Sequence, residues 1–146
     1  MKSILDYMIG HHRQIDQIFA GAEEAVGQAD WGRAGEGLAA FLRQMERHFD
    51  MEETVLFPKF EDRTGMIGGP TQVMRSEHDQ MRGLFDELRA AMAARDSEQF
   101  LGVSETLLIL TQQHNMKEEG ILYRMMDQVF ADEIEALIAE VESVPS

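Results

Sequence analysis

The 146-residue chain has no cysteine, which excludes disulfides, thiolate metal sites and thiol redox chemistry. With 3 prolines, 1 tryptophan and 2 tyrosines, it is poor in the residues that build strands and tight turns, and helix is expected instead. Positive charge is scarce: 13 Lys and Arg stand against 27 Asp and Glu, a net charge of −14. Neither nucleic acid nor an anionic membrane surface is an expected partner, because both call for a basic face. No apolar run reaches the about 20 residues that cross a bilayer. The N-terminus has no signal-peptide pattern, since Lys2 stands alone and Asp6 interrupts a short apolar run. A cytoplasmic location is expected. There is no low-complexity linker, so residues 1–146 are expected to form one domain.

What the chain does have is apolar residues at helical spacing from end to end. Leu5, Met8, His12, Ile15, Phe19, Ala22 and Val26 step by three and four, as one face of a helix does. So do Leu38, Phe41, Met45, His48, Glu52 and Val55; Met74, His78, Met81, Phe85, Leu88 and Met92; and Leu107, Thr111, His114, Glu118, Ile121 and Met125. The pattern predicts helices over about 3–28, 31–60, 71–94 and 97–128. Asp30 and Asp96 are expected N-caps, and Ser3 followed by Asp6 resembles a capping start. Pro58 is expected to kink or end the second helix. Gly65 to Pro70 reads as the loop between halves, and Glu133 to Val144 as a short terminal helix or tail after residue 131. Four long helices on short connections give an all-α, up-down-up-down four-helix bundle, made of hairpins at about 3–60 and 71–128.

The two hairpins repeat at an offset of 66 residues. His12 returns as His78, His48 as His114 and Glu52 as Glu118, giving two copies of H-x35-H-x3-E. His48 and Glu52 lie one turn apart on one helix face, as do His114 and Glu118. A lone His in a helix stripe is ordinarily a hydrogen-bonded core residue, and a lone H-x3-E pair is ordinarily a surface pair. Four imidazoles and two carboxylates facing one core are different, because unpaired buried charge is expensive and the few cations fall mostly between the core positions. A pair of metal ions satisfies all six groups.

Imidazole and carboxylate without thiolate suit Fe, Mn, Zn or Cu. Each Glu can span two metals while the histidines cap them. By the two-fold logic His12 and His48 belong to one metal, His78 and His114 to the other. His11 also fits a helical stripe, but the repeat favours His12, which matches His78, whereas His11 matches Glu77. His11 and Glu77 are candidates for supporting groups or an extra ligand, and Tyr7 is a weaker one. Glu53 and Glu119 are expected on solvated faces. Most of the 11 methionines read as core filler, while Met8 and Met74 are expected beside the metals.

The order H, H-x3-E, H, H-x3-E on four helices resembles the hemerythrin family, in particular the bacterial hemerythrin-like (HHE cation-binding) domains. Flanking residues carry the resemblance further: His48-Phe49 leading to Glu52-Glu53 and Leu56-Phe57-Pro58, Glu77-His78, and Glu118-Glu119 with Ile121-Leu122. The resemblance implies two non-haem irons, with Mn or Zn as weaker alternatives, bridged by Glu52 and Glu118. One departure matters: oxygen carriers of the family have a further histidine one turn before the one in the third helix, where this chain has Met74. That would leave both metals open to an exogenous ligand. The resemblance favours a protein that binds or senses O2 or a related diatomic such as NO. The alternative is a stress-defence enzyme reducing O2, peroxide or NO, which would need a separate reductase because no flavin or haem motif is present. Iron storage or sensing ranks lower, as does repair of iron–sulfur centres, since relatives with that role carry a cysteine-bearing N-terminal segment. A metal-free interaction module ranks last. No proton relay stands out, and oligomeric state is left open by the sequence.

Overall fold

A computed structural model describes residues 2–146, and the described residues form helices with no strand. Helix α1 (Ile4–Gly27) starts at Ser3, whose hydroxyl accepts from the Asp6 amide at 3.0 Å. A second rod follows, made of α2 (Trp31–Asp50), a π turn (Met51–Leu56) and α3 (Phe57–Thr64). The third rod is α4 (Pro70–Ala94). The fourth is α5 (Ser97–Lys117), a second π turn (Glu118–Leu122) and α6 (Tyr123–Val129). A short helix α7 (Ile134–Glu142) closes the chain. The four rods make the up-down-up-down bundle of two hairpins that the periodicity predicts.

The turns repeat as the sequence does. Ala29 and Arg95 are both left-handed, with φ 56° and 51°. Asp30 and Asp96 then cap the following helices, accepting from the Arg33 amide at 3.2 Å and the Gln99 amide at 3.1 Å. Such caps satisfy amides that the first helical turn leaves free. Gly65, at φ 72°, ends the second rod, its amide bonded to the Glu61 carbonyl at 2.8 Å.

Pro58 does not end its helix, which runs on to Thr64. The π turn just before it carries the departure from α geometry: the Phe57 amide reaches the Glu52 carbonyl, five residues back. The second π turn does the same from Tyr123 to Glu118. Proline is not the common cause, because Arg124 holds the equivalent position there. What the two turns share is a fully buried glutamate at or near their start. The inserted residue rotates the downstream face by about 100°. Ile121, expected inside, is therefore 60% exposed, and Val55 only half-buried. Leu56, Phe57, Leu122 and Tyr123 are buried in their place.

Two apolar clusters fill the bundle. One, toward the hairpin turns, packs Phe19 on Phe41 (4.4 Å between centroids) and Phe41 edge-on to Phe85 (5.7 Å), with Leu38, Leu88, Phe100 and Leu107. The other packs Met8, Met51, Phe57, Phe60, Met74, Tyr123 and Met126 under α7. Both ends are tied: Asp127 accepts from the Ile4 amide at 2.7 Å, and Arg47 donates to the Val144 carbonyl at 2.9 Å. Phe85→Ala should cost about 3–5 kcal/mol, measured by denaturant unfolding. Ile109→Ala, on the outward face of α5, should stay within about 0.5 kcal/mol.

Candidate metal centre

The six residues singled out by the repeat meet in the middle of the bundle, and all six are buried. Each rod supplies its share by the geometry of one helix face: His12 from α1, His48 and Glu52 from the second rod, His78 from α4, His114 and Glu118 from the fourth. Glu52, His78, His114 and Glu118 form one group of converging donor atoms, and His12, His48 and Glu118 another. His12 Nε2 lies 3.0 Å from His48 Nε2 and 3.3 Å from Glu118 Oε1. His114 Nε2 lies 3.2 Å from Glu118 Oε2, so the two oxygens of Glu118 face different halves. Glu52 Oε1 lies 3.1 Å from His78 Nε2 and 3.5 Å from His48 Nε2, again between halves.

Several of these atoms have no hydrogen-bond partner. Glu52 Oε1, His78 Nε2, His114 Nε2 and Glu118 Oε2 are all buried and unsatisfied. They approach one another closely without the alignment a hydrogen bond needs. Donors held about 2.0–2.2 Å from one ion lie about 3 Å apart when adjacent, which is the spacing seen here. The set fits metal ions, and the absence of thiolate leaves the choice to metals that take nitrogen and oxygen.

Behind each inward nitrogen stands a partner on the outer one. Glu119 accepts from His12 Nδ1 at 2.7 Å, and Glu53 from His78 Nδ1 at 2.6 Å. Glu77 accepts from His114 Nδ1 at 2.8 Å, while His48 Nδ1 meets His11 Nδ1 at 2.8 Å. These partners obey the 66-residue repeat as the inner residues do. Glu53 and Glu119 are thus not on solvated faces, as expected from sequence, but fix imidazole orientation from across the bundle. Their own backing differs: Arg82 holds Glu53 together with Glu46 and Asp79, and Lys117 holds Glu77. Phe49 stacks on His78 at 4.0 Å, and the Arg82 guanidinium lies over the Phe49 ring at 4.8 Å.

Sequence reasoning missed Tyr123. Its hydroxyl lies 2.7 Å from Glu52 Oε2 and 2.9 Å from Glu118 Oε1, with one proton to donate between them, and 3.3 Å from His12 Nε2. α-Helical spacing puts residues 118 and 123 on different faces; the π turn stacks them. The available signal was an asymmetry in the repeat, tyrosine at 123 against phenylalanine at 57. Met8 and Met74 are buried in the cluster that holds Tyr123. Tyr7 is half-buried against Arg47 and Glu142, away from the six.

Charge in the metal-free cluster is shared unevenly. Burial opposes protonation of His12 and His78, yet the carboxylates beside them, Glu118 and Glu119 for His12 and Glu52 and Glu53 for His78, hold both up at about 9. Burial and the neighbouring Glu118 push the Glu52 carboxyl up to about 7. Glu118 is held well below the usual range despite its burial, chiefly by His114. Burial and Arg47 push His11 down to about 4, so it is a neutral partner for His48.

Among known proteins, the family model described as the hemerythrin HHE cation binding domain matches residues 3–126. No curated protein and no solved structure matches the chain.

Binding a cation requires neutral imidazoles. Anaerobic loading of the metal-free chain with ferrous ion near neutral pH should therefore release protons, those of His12 and His78 first. Apparent affinity should climb with pH up to about 9, where these two imidazoles lose their protons, and flatten above. Proton release in weak buffer and titrations at stepped pH read this out; uptake independent of pH would contradict it.

Proposed function

The chain belongs to the hemerythrin family, as an HHE cation-binding domain, and on that premise we propose that it is a non-haem di-iron protein that binds or senses O2 or NO. His12, His48, Glu52, His78, His114 and Glu118 would hold the metals, with His12 and His48 on one, His78 and His114 on the other, and the two glutamates between. The observation that carries this reading is the set of four buried donor atoms, one on each of Glu52, His78, His114 and Glu118, that have no hydrogen-bond partner. A structural hydrogen-bond network would leave few such atoms, because each costs about 1–3 kcal/mol.

When bound, a pair of ferrous ions supplies the electrons that let a diatomic attach. The chain's own residues do the rest. Outer partners on all four Nδ1 atoms lock ring orientation and aim Nε2 inward. The apolar clusters on either side keep bulk water out. A cavity of about 10 Å³, lined by Ile15, Met45, Phe49 and Met81, touches His12, His48 and His114. It has room for something the size of one water molecule. A cleft of about 190 Å³ lined by α1, α2 and α5 shares Ile15, Asp16, Met45 and Thr111 with it. The inner cavity suits a molecule no larger than a diatomic.

Metal analysis with visible spectra tests the reading. The purified protein should hold about two irons per chain, with bands that bleach on anaerobic reduction and return with O2. Glu52→Ala and Glu118→Ala should each lose at least one metal, whereas His11→Ala should keep the full content with altered spectra. Zinc alone, or no metal, would remove the oxygen chemistry. Steady turnover of NO or peroxide with a supplied reductant would move the assignment to an enzyme.

A further inference from the structure

The two halves of the centre are not equivalent, and the difference lies at one position of the repeat. In the half of His78 and His114, the side chain after the π turn is Phe57, which stacks on His78 at 5.9 Å between centroids and has no polar atom. In the half of His12 and His48 it is Tyr123, fully buried. We propose that Tyr123 is a seventh protein ligand, coordinating through its phenolate oxygen the metal held by His12 and His48. This rests on the di-metal reading of the site.

The geometry carries the assignment. Tyr123 Oη lies 2.7 Å from Glu52 Oε2, 2.9 Å from Glu118 Oε1 and 3.3 Å from His12 Nε2. His12 Nε2 in turn lies 3.0 Å from His48 Nε2. Those separations are what adjacent ligands of a single ion show when each lies about 2.0–2.2 Å from it. A phenol serving only as an outer support would sit behind a ligand, as Glu53, Glu77 and Glu119 sit on the far nitrogens of their histidines. Tyr123 sits on the inner side, among the atoms that converge.

Charge points the same way. Where the His78 and His114 half backs an imidazole with the carboxylate of Glu77, the other half has the imidazole of His11. The half that lacks that carboxylate is the one that has the phenol. On coordination the Oη–H bond gives way to an Oη–metal bond, the proton leaves to solvent, and no oxidation state changes. The metal of His12 and His48 then has two nitrogens and three oxygens from protein. The metal of His78 and His114 lacks the third oxygen and is the one left to accept an exogenous ligand, and its His114 lines the small cavity described above. The expectation that both metals are open is replaced by one closed and one open.

The test uses iron-loaded full-length protein, metal analysis and resonance Raman spectroscopy, with no assay of turnover. The wild type should show a tyrosinate-to-ferric charge-transfer band in the visible and enhanced phenolate ring modes. Tyr123→Phe should lose both while keeping its iron. The chain has only 2 tyrosines, so Tyr7→Phe, which should retain them, assigns the band even where Tyr123→Phe folds poorly. Phe57→Tyr should add a second phenolate and strengthen the band. Two irons with no tyrosinate signature in the wild type would overturn the ligand and leave the centre standing. A protein that binds no metal at all would overturn both.

Discussion

Everything in this molecule turns on the cost of placing two carboxylates and four imidazoles inside an apolar bundle. Glu52, His78 and Glu118 are sealed from solvent, and an uncompensated charge there would be worth several kcal/mol against folding. The metal-free protein meets the cost in part with protons, held on His12 and His78 by the carboxylates around them. That solution is incomplete, since buried donor atoms stay without partners. A bound cation would complete it, and its binding energy would then add to the stability of the fold.

The demand for convergence shapes the backbone. Both rods that carry a glutamate widen into a π turn there, at positions related by the repeat. Each insertion breaks the 3.6-residue rhythm, so the apolar face before the site and the apolar face after it are out of phase. The site is thus a seam between two cores, one built on Phe19, Phe41 and Phe85 and the other on Phe57, Tyr123 and the buried methionines. It also brings residue i+5 over the glutamate, which is how a phenol enters the cluster on one side and a phenyl ring on the other.

The outer groups extend the internal symmetry and then break it. Three imidazoles lean on carboxylates and the fourth on His11. Arg82 anchors one of those carboxylates and Lys117 another. The two hairpins thus differ at single residues around the buried cluster, His11 against Glu77 and Tyr123 against Phe57, without a change in the bundle.

Much of this was legible in the amino-acid order. Helical spacing sets four rods, the capping residues Asp30 and Asp96 set where two of them begin, and an exact offset between His12 and His78 or Glu52 and Glu118 marks which polar residues belong together. These are local or periodic properties, and periodicity survives in one dimension. The tertiary structure decided the rest. Whether Glu53 and Glu119 meet solvent or an imidazole depends on what the opposite rod presents, and nothing along their own helix records that. Ile121 turns outward and Tyr123 inward because one extra residue is wound into a turn, a rotation that only the packed backbone reveals. Amino-acid order specified a helical bundle with duplicated histidines and glutamates; the packing of rod against rod settled which nitrogen each imidazole turns inward and that the two halves differ, because contacts across a bundle are fixed by distances in space and not by spacing along the chain.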